Sequence, residues 1–340
     1  MTSRERVKRA IHFQGVDRIP HYLPDGGPND ILWLWPQRAP DIQPWAVGTD
    51  GLERRVDAWG STWVRPAGAK NHGEKWILAL EDISQQADFQ LANNNAPEHF
   101  DTTRAAIAEN NASDNPLYSL AVMPFSSLNE ETHNVLGLDR MFLAYYEEPD
   151  HLKAYIARLA EAQRESIRIL ADCGCDGVMG FDDWGLQDRL MVRLDMIEEF
   201  FMPHYRANWQ LAHDLGMDVW LHSCGHIVDL LPKLHEWGLD VIQQDQQENA
   251  GLEANNAAAG GKLAFWCPVD IQKTMIEGSE EDIRRYVQRM MDTLGSHNGG
   301  FCSKHYSQPD VVGHAPEKTA AMSRAFRELG VYRDFKSSES

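Results

Sequence analysis

The chain has 340 residues, 43% hydrophobic and 24% charged, the composition of a globular protein with room for one large barrel or two modest domains. Its net charge of −19 opposes a nucleic-acid duplex or an anionic membrane surface, while leaving a local site free to take a small molecule of either sign. Five cysteines, an odd and small number, do not suggest a disulfide framework.

The first residues, Met1 to Ile11, are charged and helical in pattern and do not read as a signal peptide. No apolar run approaches the roughly 20 residues of a membrane span, so a cytoplasmic protein with reduced cysteines is expected. A short amphipathic helix is predicted over 4–13 and a first strand over 18–23, with Pro20 tolerated near its start. Residues 24–115 are rich in Trp, Pro, Asn and Gly and read as an elaborated excursion with a hairpin. Short strands are expected there at Thr62-Trp63-Val64 and Lys75-Trp76-Ile77-Leu78.

From residue 117 the rhythm is regular. Strands are predicted over 117–123, 176–183, 217–222, 239–244, 262–267 and 299–303. They alternate with helices over 139–147, 150–172, 195–215, 227–237, 251–259, 279–294 and 315–329. Short strands alternating with longer helices imply βα units and a parallel sheet. With the strand at 18–23 and an eighth hidden in 24–115, the expected fold is a (β/α)8 TIM barrel, an α/β protein with an elaborated N-terminal region. One barrel domain over 1–335 is expected, followed by a polar tail over 336–340.

The stretch Val219-Trp220-Leu221-His222-Ser223-Cys224-Gly225 is the strongest pointer to chemistry. Side chains two apart on a strand share a face, so His222 and Cys224 leave the strand end together, facing the mouth where barrel enzymes keep their chemistry. Imidazole and thiolate together suit zinc. Cys302 and Cys267, also at strand ends, are the candidates for a third ligand, which would leave one tetrahedral position open. Asp182 and Asp183 end another strand and face opposite ways, so one of them is expected to look into the mouth as a fourth ligand or proton acceptor. Asp270 is a further catalytic candidate, and Gln187, Gln244 and His305 are candidate substrate contacts. Cys173 and Cys175, before a strand, read as packing.

These residues carry a resemblance. The stretches Asp17-Arg18-Ile19-Pro20, Phe181-Asp182-Asp183-Trp184-Gly185-Leu186-Gln187, His222-Ser223-Cys224-Gly225, Ala264-Phe265-Trp266-Cys267-Pro268-Val269-Asp270-Ile271-Gln272 and Gly299-Gly300-Phe301 resemble the uroporphyrinogen decarboxylase superfamily. The His-x-Cys pair resembles its zinc-dependent, corrinoid-linked methyltransferases. The resemblance implies a (β/α)8 barrel and a zinc ion held by His222, Cys224 and a later cysteine, Cys302. Relatives place that cysteine a few residues further on, where this chain has His305, and Cys267 is the rival. The arginine-rich substrate loop of the decarboxylases is replaced by Pro24-Asp25-Gly26-Gly27-Pro28-Asn29.

The expected function is therefore methyl transfer between a small O-, S- or N-methyl compound and a corrinoid (cobalamin). The corrinoid would sit on a separate protein, because no Asp-x-His-x-x-Gly cobalamin motif occurs in this chain. The alternatives are a metal-free decarboxylase or lyase on the same barrel, and a non-catalytic zinc-binding barrel. A homodimer is allowed. Donor identity and direction of transfer are not written in the sequence.

Overall fold

A computed structural model describes residues 1–69, 71 and 73–332; the expected tail over 336–340 lies outside the described residues. Among the described residues twelve strands follow one another: β1 (His21–Tyr22), β2 (Ile31–Leu34), β3 (Gln43–Val47), β4 (Leu52–Val56), β5 (Thr62–Pro66), β6 (Glu74–Ile77), β7 (Tyr118–Val122), β8 (Gly177–Phe181), β9 (Asp218–His222), β10 (Val241–Gln243), β11 (Ala264–Cys267) and β12 (Phe301–Lys304). Eight of them form one sheet in the order β1-β12-β11-β10-β9-β8-β7-β2, every pair parallel. Helices surround it, so the molecule is a nearly closed (β/α)8 barrel.

The seam between β1 and β2 is closed by other means. The Asp30 backbone N–H donates to His21 O at 2.9 Å. The fully buried Asp30 carboxylate accepts from the His21 backbone at 2.8 Å and pairs with Arg6 and Arg18. A buried carboxylate is tolerated because its lone pairs are taken by charged donors.

The eighth strand is β2. Its four residues, Ile31-Leu32-Trp33-Leu34, are too short to stand out within the Trp- and Pro-rich excursion. The excursion also carries a four-stranded antiparallel sheet, β3-β4-β5-β6, rather than one hairpin; the two expected strands fall in β5 and β6. It is stiffened by guanidinium–indole stacking, with Arg65 over Trp45 at 4.0 Å and Arg55 over Trp63 at 4.7 Å.

The expected helix over 195–215 is two helices, Leu194–Phe200 and Met202–Asp214, with Pro203 in the first turn of the second. The helix expected from 227 starts at Leu231, with Pro232 in its first turn. Among the described residues three α-helices appear that the periodicity does not announce, Asp101–Asn111, Asn129–Leu136 and Thr274–Glu277. No described helix is long and apolar enough to cross a membrane.

Strand alternation divides the core. Ile31, Leu120, Val122, Met179, Trp220, Val241, Ala264, Trp266 and Cys302 form an inner cluster that fills the barrel. Their neighbours of opposite parity, including Val178, Val219, Leu221, Ile242, Phe265 and Cys267, belong to the larger layer beneath the helices. The barrel is thus plugged with large apolar side chains, and chemistry is confined to its C-terminal rim.

Candidate metal centre

Three side chains from two neighbouring strands meet at that rim. Asp183, His222 and Cys224 each offer a donor atom, and the donors all lie within 4.8 Å of one another. His222 Nε2 is 3.2 Å from Cys224 Sγ and 3.4 Å from Asp183 Oδ1. The Cys224 backbone N–H donates to Asp183 Oδ1 at 2.7 Å, which orients the carboxylate. Among the described residues this is the one group of three or more His, Cys, Asp or Glu side chains so arranged.

The loops that present these donors touch backbone to backbone. Gly185 N–H donates to Cys224 O at 3.1 Å. Gly225 has φ +81°, and a side chain on it would meet the Gly185 backbone at 2.3 Å. Only glycine fits both the left-handed conformation and the close approach.

Behind the cluster, His222 Nδ1 is hydrogen-bonded to Gln243 Oε1. The Gln243 amide nitrogen donates to Asp245 Oδ1 at 2.9 Å, and Lys304 Nζ donates to the same oxygen at 2.8 Å. The carboxylate accepts only, so it holds the amide nitrogen and turns the amide oxygen to the imidazole. Nδ1 must then carry the proton, and the Nε2 lone pair faces Cys224 and Asp183. Burial works against ionisation of Asp245, yet Lys304 and His222 hold its carboxyl below the ordinary range. Lys304 is itself buried, 5.4 Å from the centre of the Trp266 ring.

This arrangement fits zinc. One imidazole nitrogen, one thiolate and one carboxylate oxygen are zinc donors, and the histidine's remote nitrogen is fixed by a second partner, as metal ligands usually are. Burial first, then Asp183 and Asp245, push the Cys224 thiol up, so an ionised sulfur needs a positive partner at this place.

The structure brings the Asp183 carboxylate, rather than Cys302 or Cys267, beside His222 and Cys224. Cys302 lies one step deeper on its strand, fully buried in the inner cluster with Trp220 and Trp266, and burial raises its thiol well above the usual value. The mouth-side position of that face belongs to Lys304. Cys267 has the opposite parity to Trp266 and sits in the outer layer, its thiol pushed up to about 12 by burial.

Asp182 lies outside this group. It is fully buried and accepts the backbone N–H groups of Leu128, Asn129 and Glu130 and the Tyr205 hydroxyl. It caps the start of the helix Asn129–Leu136; burial raises its carboxyl to about 6 against the pull of these donors. Asp270 accepts the backbone N–H groups of Gln272 and Thr274. Gln187 is exposed on its loop. Gln244, next to inward-facing Gln243, points to the outer layer, where it is buried. His305 stands on the rim, stacked on Tyr22 at 5.4 Å.

Four residues at or beside the centre carry roles the sequence reading did not assign. Gln243 and Asp245 flank Gln244 at the end of β10, and Lys304 follows Cys302 on the same face; counting by two along each strand finds all three. Glu130 belongs to a helix the periodicity did not reveal. Burial, then Asp182 and Asp183, raise its carboxyl to about 8.

Known proteins bear on this site. The chain matches the family model of uroporphyrinogen decarboxylase (URO-D) over residues 57–328. The chain belongs to the uroporphyrinogen decarboxylase family. No curated protein matches it. Among solved structures, this uroporphyrinogen decarboxylase-family barrel is similar to a methyltransferase from Methanosarcina mazei, with a TM-score of 0.67 and 12% identity over 97% of this chain and 99% of that one. At that identity the likeness is one of fold. A D-psicose 3-epimerase gives a TM-score of 0.42 at 11% identity, over 73% of this chain and 87% of that one. A chitinase from Chromobacterium violaceum gives 0.38 at 8%, over 91% and 98%.

Proposed function

We propose that this member of the uroporphyrinogen decarboxylase family is a zinc-dependent methyltransferase. It would move a methyl group between a small O-, S- or N-methyl compound and a corrinoid carried by a separate protein. One observation carries the reading: Asp183, His222 and Cys224 converge at the barrel mouth with the His222 Nε2 lone pair turned to the other two donors. Zinc bound there would supply a Lewis acid that polarises the heteroatom bearing the methyl group.

The chain's own residues do the rest. His222, Cys224 and Asp183 hold the ion. Gln243, Asp245 and Lys304 keep the imidazole in one tautomer and orientation. Asp182 fixes the start of the helix that presents Glu130. Glu130, whose carboxyl is raised first by burial, is the candidate proton donor to a departing heteroatom. The decarboxylase reading finds less support, because the buried cation nearest the centre, Lys304, is already tied to Asp245.

The test mixes the metal-loaded protein with Co(I) cobalamin and a panel of thioethers, methylated amines and methyl ethers. The cobalamin absorbance is expected to change with one donor class, and the change is lost after chelation and in His222→Ala. Turnover of a porphyrinogen by metal-free protein, with no donor reacting, contradicts the reading.

A further inference from the structure

The β2 and β8 side of the mouth carries a run of aromatic rings that nothing above uses. Ile31 and Trp33 share one parity on β2, and Trp35, the residue just past its end, continues the run towards the rim. Trp35 is 56% exposed, although it stands beside the site rather than on a remote surface. Ring centroids follow one another at 5.3 Å from Trp33 to Trp35, 5.4 Å from Trp35 to Phe181 and 5.2 Å from Phe181 to His222. The planes are tilted by 44°, 34° and 41°. Tyr22 meets Trp33 edge-on at 5.6 Å.

The run therefore begins on an open indole and ends on the imidazole of the proposed zinc centre. Each ring touches the next and the outermost is an exposed indole, which suits an aromatic partner stacked on it. A donor as small as methanol or methylamine would leave this wall uncovered. A planar ring lying against Trp35 and Phe181 covers it, and a single substituent then reaches Asp183, His222 and Cys224.

We infer that the donor is an aryl methyl ether, an inference that rests on the methyl-transfer reading above. The step balances with a Co(I) corrinoid as co-reactant. The methyl C–O bond breaks with its electron pair kept on oxygen, the Co(I) electron pair forms the new bond to the methyl carbon, and the phenolate released takes one proton. A phenol has an ordinary pKa near 10, so its anion leaves more readily than an alkoxide.

The experiment compares 2-methoxyphenol, dimethyl sulfide and trimethylamine as donors to Co(I) cobalamin with the metal-loaded protein. The expected result is a kcat/KM for 2-methoxyphenol at least about tenfold above the other two, equivalent to about 1.4 kcal/mol. Trp35→Ala is expected to raise its KM about tenfold, with the loss mainly in KM rather than kcat, and Trp35→Phe to recover most of it. Preference for the sulfide or amine, or a Trp35→Ala variant with unaltered KM for 2-methoxyphenol, overturns the aryl assignment and leaves methyl transfer standing. Reaction with no donor overturns both.

Discussion

Replacing Gln243 by leucine removes the acceptor that keeps a proton on His222 Nδ1 while leaving Asp183, His222 and Cys224 in place. The imidazole is then free to turn or change tautomer. Zinc affinity is expected to fall about 10- to 100-fold, measured by competition with a chromophoric chelator. Lys304 and Asp245 set a sharper test, because both are buried. Lys304→Met strands a buried carboxylate and should destabilise the fold by about 3–5 kcal/mol in urea unfolding, whereas the double change Lys304→Met with Asp245→Leu should recover most of that loss. The neighbours Asp182 and Asp183 divide their labour by parity alone: the first caps a helix, the second faces the mouth. Asp182→Ala removes the acceptor for three backbone N–H groups and a tyrosine hydroxyl, and should lower stability by about 3 kcal/mol.

At the scale of elements, the regular half of the barrel was legible because its strands are buried apolar runs between long amphipathic helices. The same rule of two that joined His222 to Cys224 on β9 also joins Cys302 to Lys304 on β12. What the sequence does not give is height. Barrel strands tilt and stagger, so the residue of β12 that stands level with the centre cannot be counted from the sequence. That is why Cys302 reads as a candidate ligand in the sequence while its side chain lies in the inner cluster. The short strand β2 and the helix Asn129–Leu136 were hidden for another reason. Four residues of strand carry too little pattern, and a helix whose cap is supplied by a distant aspartate has no local start signal. The loop pair Gly185 and Gly225 is the element-scale weak point. Gly225→Ala forces a left-handed residue against the Gly185 backbone and should lower both thermal stability and zinc affinity, read by calorimetry and chelator competition on the same protein.

For the whole molecule, the acidic surface shapes the response to pH. On the N-terminal face of the barrel, His12 Nε2 lies 2.8 Å from Asp218 Oδ1 and His213 Nε2 lies 2.7 Å from Asp240 Oδ2. These hydrogen bonds, against the opposing effect of burial, raise both histidines above 6.5. A group with a raised folded pKa binds its proton more tightly in the native state. Its contribution is complete below pH 6.5 and is lost as pH rises through the higher folded values. As pH rises from about 6.5 the wild type should therefore lose more thermal stability than the double variant His12→Gln with His213→Gln. A slope unchanged in that variant would assign the effect to other groups.

The most direct measurement is metal content by mass spectrometry on protein purified without added zinc. About one zinc per chain is expected in the wild type and in Cys302→Ala, and almost none in Asp183→Ala, His222→Ala or Cys224→Ala. A zinc-free wild type, or zinc lost with Cys302 and retained without Asp183, would contradict the centre described.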